Sequence, residues 1–198
     1  MPSNSLDTSI SRPPIPSTSS PEPNSSPPSL SPSFSVQLCV TPEERERCMK
    51  IRHQVFCVEQ GYDPAIEVDE KDPQSDHFLL TELKPDGSIE DVGTLRCYAS
   101  PPSLLKLGRF AIHSHYRGTG AGRYLENSFI SHLRTRQPSP CCEIVTKKKR
   151  EVKVVAWSQC VARGFYRRCG WEEEGEVFIE EGQPHIKIMK TIELDPES

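Results

Sequence analysis

The chain has no apolar run close to the roughly 18 residues of a membrane-spanning helix, which excludes a helical membrane span by pattern. It has no Cys-x-x-Cys pair among its eight cysteines, which argues against a zinc site, and no metal is expected. It has no large charge excess. Lys and Arg number 24 against 28 Asp and Glu, a net charge of −4, so general attraction to nucleic acid or to an anionic membrane is not expected. The N-terminus lacks a charged segment followed by an apolar stretch, so no secretory signal is expected. The cysteines then read as reduced, small hydrophobes of a cytoplasmic protein. The adjacent pair Cys141-Cys142 lies in a predicted loop and could be oxidation-prone.

What remains is one globular domain behind a tail. Residues 1–33 are nearly all Ser, Pro, Thr and Asn, too polar to offset the entropy of ordering, and read as a disordered tail. The Ser-Pro pairs at Ser20, Ser26 and Ser31 suit phosphorylation or simple solubilisation. The domain is expected over 34–194. Val36 to Val40 alternates as a strand, and Thr41-Pro-Glu-Glu44 is a capping box that opens a helix. Cys48, Ile51, Val55 and Val58 share one face of that helix, and Gly61 and Pro64 end it. Strands are predicted over 77–83, 92–98 and 106–112, with Pro85-Asp-Gly87 as a turn. A helix after Gly120 carries Tyr124, Leu125, Phe129 and Leu133 at helical spacing and ends near Gln137. A polar loop with the basic run Lys147–Arg150 follows; it reads as a solvated loop or a nuclear-import patch. Then come a strand over 152–157, a helix over 159–169 with Val161, Phe165 and Cys169 at helical spacing, and strands over 176–180 and 185–192.

The most informative segment is Arg117-Gly-Thr-Gly-Ala-Gly122, between a strand and a helix. Small residues there let bare backbone N–H groups approach an anion at the positive end of a helix. The spacing is not the dinucleotide fingerprint, whose third glycine would fall at Arg123, and no Lys-Ser/Thr closes it as in a P-loop. Arg-x-x-Gly-x-Gly resembles the acyl-CoA pyrophosphate loop of the GNAT superfamily of N-acetyltransferases. Gly164-Phe-Tyr-Arg-Arg-Cys-Gly-Trp171 resembles that family's late helix-to-strand motif, and the two occur in the family's order.

The resemblance implies a mixed α/β fold: a central sheet of six to seven strands with helices on both faces. It implies acetyl-CoA as co-substrate and an amine as acceptor, either a small molecule or a protein. Arg117, Gly118, Thr119, Gly120, Ala121 and Gly122 would hold the pyrophosphate, with charge added by Arg117 and Arg123. Phe110, Ala111 and Ile112 would offer main-chain groups to the pantetheine arm from a strand that splays from its neighbour. Tyr166 would protonate the leaving thiolate, because a phenol has a pKa near that of a thiol. Gln159 would bond the pantetheine amide or cap a helix. Glu59 is the candidate general base, with His113 and His115 as alternatives and deprotonation through water also open.

Arg52, Phe56, Asp69, Asp72 and Arg96 form a second pattern. It resembles the ElaA-like acetyltransferases and also the acyl-homoserine-lactone synthases, which use S-adenosylmethionine. The acids and arginines suit a network that orders a loop, or else attraction for an amine. Glu180 and Glu181 in the closing turn suit a cationic acceptor. A CoA-binding module without catalysis is the alternative of a different class. Monomer and homodimer both stay open, as does a nuclear as well as a cytoplasmic location.

Overall fold

The structure is a computed structural model, and it describes residues 33–100, 104–141 and 150–196. Residues 1–32 of the expected tail, Cys142 and most of the basic run 147–150 lie outside the described residues, while Ser33 opens the first strand.

Seven strands form one sheet: β1 (Ser33–Leu38), β2 (Asp76–Leu83), β3 (Ile89–Ser100), β4 (Leu104–Ile112), β5 (Glu151–Gln159), β6 (Glu172–Glu180) and β7 (Gln183–Glu193). Their spatial order is β1-β2-β3-β4-β5-β7-β6, and only the β4–β5 pair is parallel. The principal helices are α1 (Pro42–Arg52), α2 (Pro64–Glu67), α3 (Ala121–Arg134) and α4 (Arg163–Arg168). Helices cover both faces, and each face has its own core. Leu105 and Leu107 of β4 pack with Leu125, Phe129 and Leu133 of α3, while Ala111 packs with Cys48 and Ile51 of α1. The three α3 side chains are wholly buried, each a gain of roughly 2 kcal/mol.

The α1 capping box forms as its sequence dictates. The Thr41 hydroxyl accepts from the Glu44 amide at 3.2 Å, and Glu44 accepts from the Thr41 amide at 3.0 Å. The far end of this helix departs from expectation. His53–Glu59 winds as a π-helix, which adds a residue per turn and rotates the following side chains off the apolar face. Val55 stays buried, but Val58 is 60% exposed. Two other expected core positions face solvent. Tyr124 is 43% exposed, and Val161 is 92% exposed because residues 160–162 form a short 3-10 turn and α4 begins only at Arg163.

Candidate active site

The first component is the anion cradle. A 3-10 turn over Ser114–Tyr116 leads into the glycine loop, and Gly120 caps α3 with φ of 96°. A side chain is strained at that φ, so glycine is the natural occupant. No side chain caps α3, so its first amides stay open. Gly118, Gly120, Ala121, Gly122 and Arg123 have no acceptor for their N–H groups among the described residues. Two of the expected donors are already engaged: the Arg117 amide bonds Ser114 O at 3.1 Å and the Thr119 amide bonds Tyr116 O at 3.4 Å. These turn bonds shape the loop, so the cradle is narrower than the whole segment 117–122. Gly122 has a different reason to be small. A Cβ there would stand 3.3 Å from the Phe165 ring, so the glycine lets α3 and α4 close up.

Both charged side chains of the loop are tethered. The Arg117 guanidinium donates to Glu59 Oε2 at 2.6 Å and to Ile112 O at 2.9 Å. Arg123 reaches the Arg168 carbonyl at 3.3 Å. Glu59 is thus an ion-pair partner of the loop arginine in this structure, and the base expected there is engaged. Of the histidines, His115 contacts Glu90 at 3.2 Å, and burial pushes the His113 imidazole pKa down. Tyr116 anchors the turn from below: its hydroxyl donates to Glu82 at 2.5 Å and accepts from Lys84 at 2.6 Å. Burial and the Glu82 hydrogen bond push its pKa up to about 12.

The second component is a split in the sheet. β4 and β5 pair only from Leu104↔Lys153 to Leu107↔Ala156. Past that point each strand is held on its outer side only, β4 by β3 up to Gly93↔Ile112 and β5 by β7 up to Gln159↔His185. The cause of the divergence is visible in β4. Its register with β3 steps from Thr94↔Ala111 to Arg96↔Gly108, so Arg109 and Phe110 face Leu95 alone. This is a β-bulge, and Arg109 sits at φ of 50° within it. No pattern in the sequence announces this bulge.

Alternation then decides which main-chain groups open into the split. The His113 amide bonds Val92 O at 3.0 Å, so Ala111, two residues earlier, also points its amide at β3. Ile112 points the other way, into the gap, consistent with its carbonyl accepting from Arg117. Of the three expected main-chain contributors, Ala111 is therefore spent on the sheet, and Ile112 has its amide open while Arg117 holds its carbonyl. Phe110 gives its ring to the cleft wall, edge-on to Phe165 at 5.5 Å and to Tyr166 at 6.1 Å.

The split holds a cleft of about 130 Å³, lined among others by Gly108, Phe110, Trp157, Gln159 and Tyr166. Tyr166 is 7% exposed and packs edge-on against Trp171 at 5.6 Å. Among the described residues its hydroxyl has no protein partner. Burial pushes its pKa up, followed by the Coulombic effects of Cys169 and Glu126, so the phenol keeps its proton. Trp171 is held in turn by Glu126, which accepts from its indole at 2.9 Å and from Lys190 at 2.8 Å. Gln159 does not cap a helix with its side chain. Its amide donates to Gln60 Oε1 at 2.8 Å and to the Tyr62 hydroxyl at 3.0 Å. This bar separates the cleft from an adjoining groove of about 280 Å³.

The third component is an ion network behind the bulge. Arg52 is fully buried and bonds Glu67, the Glu67 carbonyl at 2.5 Å and Asp72 at 2.6 Å. Arg96 makes a two-pronged pair with Asp69 at 2.7 and 2.9 Å and reaches Asp72 at 2.9 Å. Arg109 pairs with Glu67 at 3.2 Å and donates to Ile66 O at 2.9 Å. Burial pushes the Glu67 carboxyl pKa up against the pull of Arg52. Burial also works to raise Asp72, yet the Arg52 hydrogen bond and the Asp69 amide hold it well below its usual value. Three cations thus meet three carboxylates, and the network pins the 60–75 segment and the bulged residue together. Glu67 and Arg109 complete it and were not expected. Neither had a sequence signal beyond its charge. Among the described residues no group of three His, Cys, Asp or Glu side chains converges as a metal would require, and no helix is long and apolar enough to cross a membrane.

No family model matches the chain. The uncharacterised Bacillus subtilis protein YyaT is 28% identical over 162 residues, spanning 80% of this chain and 97% of its own. Among solved structures, Escherichia coli ElaA aligns with a TM-score of 0.60 and 22% identity over 80% of this chain and 99% of its own. An acyl-CoA N-acyltransferase from Pseudomonas aeruginosa gives 0.60 and 23% over 81% and 99%. BjaI, a CoA-dependent acyl-homoserine lactone synthase solved with SAM and isopentyl-CoA, gives 0.58 and 14% over 81% and 83%. With seven strands, a single parallel pair and helices on both faces among the described residues, the chain has the fold of the GNAT acyltransferases, ElaA among them.

Proposed function

We propose that the protein is a cytoplasmic N-acetyltransferase of the GNAT family, moving an acetyl group from acetyl-CoA to a primary amine by direct attack within a ternary complex. One observation carries the reading: the β4–β5 split opens beside the uncapped N-terminus of α3. Open amides of Gly118 and of 120–123 suit a diphosphate. The Ile112 N–H, its carbonyl being held by Arg117, suits either the carbonyl of an extended amide arm laid along β4 or the developing oxyanion. The neutral Tyr166 phenol stands at the cleft wall to pass its proton to a departing thiolate. The Phe110, Phe165 and Trp171 rings pack around the phenol ring and fix its direction.

Calorimetry with CoA tests the cradle, and thiol release from acetyl-CoA over an amine panel tests the chemistry. CoA binding without thiol release from any amine would favour a silent CoA-binding module instead. A thermal shift with S-adenosylmethionine would favour lactone synthesis, because a ligand that binds only the folded state raises the midpoint.

A further inference from the structure

On the sheet face opposite α3, Lys106 of β4 stands beside Trp157 of β5. The placement follows from alternation: Leu105, Leu107 and Ala156 belong to the α3 core, so Lys106 and Trp157 point the other way. The Lys106 ammonium lies 3.2 Å from the centroid of the Trp157 ring. The ring is 46% exposed and meets Phe178 edge-on at 5.7 Å.

Lys106 differs from the paired cations of this face, and from Lys153, which alternation also places here but which is exposed to solvent. Arg52, Arg96 and Arg109 all pair with Glu67, Asp69 or Asp72, and Lys187 pairs with Glu174 at 3.0 Å. Among the described residues no carboxylate pairs with Lys106. Asp69 lies within electrostatic reach, but both its oxygens are taken by Arg96. Glu180 is within reach without forming an ion pair, while Arg96 and Arg109 add positive potential. Burial pushes the Lys106 pKa down, the mark of an ammonium that has lost water without gaining an anion. A ring face compensates only part of that loss. An arriving carboxylate would supply the rest.

Trp157 also lines the cleft that carries Tyr166, so an anion on Lys106 would sit beside the candidate reaction centre. Glu181 lines the same cleft and suits the other end of a zwitterion. We infer that Lys106, seated on Trp157, is a specificity residue for an acceptor that bears a carboxylate as well as its amine, an amino-acid-like substrate. This rests on the transferase reading and reverses the expectation, from Glu180 and Glu181, of a purely cationic acceptor.

The test compares amines with and without the carboxylate: alanine against ethylamine, leucine against isopentylamine, phenylalanine against phenethylamine. Binding is measured by calorimetry on the full chain, with and without saturating CoA. The expected result is a preference of about tenfold for the carboxylate member of at least one pair, the order of one partly buried charge-assisted hydrogen bond. Lys106→Met, which keeps the stem on the ring, should erase the preference and leave CoA affinity intact, and Lys106→Arg should restore part of it. The inference is overturned if no pair shows the preference in either condition, or if Lys106→Met retains it. Failure of the parent to bind CoA sinks the transferase reading separately. Melting curves of both variants show whether they are folded.

Discussion

Glu59 and Arg117 are joined at 2.6 Å, and their bond ties the end of the π-helix to the anion cradle. The guanidinium also holds the Ile112 carbonyl, so one arginine links three segments of the site. The pair is partly exposed, 47% for Arg117 and 22% for Glu59, which limits its worth to about 0.5 kcal/mol.

Glu59→Gln should therefore raise the CoA dissociation constant only by about two- to threefold and leave kcat largely intact. Titration calorimetry and steady-state rates check both. A fall in kcat of about a hundredfold or more would instead mark Glu59 as a proton acceptor.

Tyr166→Phe separates chemistry from structure. Turnover should fall by about a hundredfold with CoA affinity retained. The melting temperature should not drop, because the hydroxyl has no protein partner among the described residues to lose. Unchanged turnover across the amine panel would remove Tyr166 from the mechanism.

Arg52→Ala should be among the most damaging substitutions in the chain. It leaves Glu67 and Asp72 buried beside a missing charge, at a cost of about 3–5 kcal/mol. Lys50→Ala is the control. Its partner Glu46 is on the surface, with side chains 71% and 64% exposed, and the loss should stay within about 0.5 kcal/mol. Urea unfolding compares the two.

The same network has a pH signature. The folded Asp72 pKa lies below its usual 3.8. Its stabilisation is complete above that value and is lost as pH falls through the folded pKa. Glu67 acts with the opposite sign: its folded pKa is raised above 4.5, so its charged form weakens the fold as pH rises through that value. Urea midpoints should fall below pH 3.8 in the parent, and the acid limb of Asp72→Asn should be flatter from a lower start.

Gly120→Ala probes the cradle. A Cβ there meets nothing within 4 Å, so packing is untouched, but the φ of 96° is strained for alanine. Stability should drop by about 1 kcal/mol. CoA affinity should fall further than stability, by about tenfold, if the open amides carry the diphosphate. Calorimetry beside thermal melting distinguishes the two effects.

Much of this architecture was legible in one dimension. The Thr41–Glu44 box, the glycine loop before α3 and the buried triad Leu125, Phe129 and Leu133 are local signals, set by backbone sterics and helical period. Val58 and Val161 were misplaced for one physical reason. A π-helix and a 3-10 turn change the angular step between residues, and apolar spacing alone assumes a uniform step.

The order of strands and helices, the cradle segment and the site's aromatic wall were set by residue types at fixed local spacing. Tertiary structure alone decided that β4 bulges at Arg109, that Glu67 closes the ion network, that Ala111 faces β3 while Ile112 faces the gap, and that Glu59 meets Arg117 across 58 residues. Each of these depends on strand register and on charge partners distant in sequence. A carboxylate's partner is chosen by the chain that folds against it, and no local pattern carries that choice.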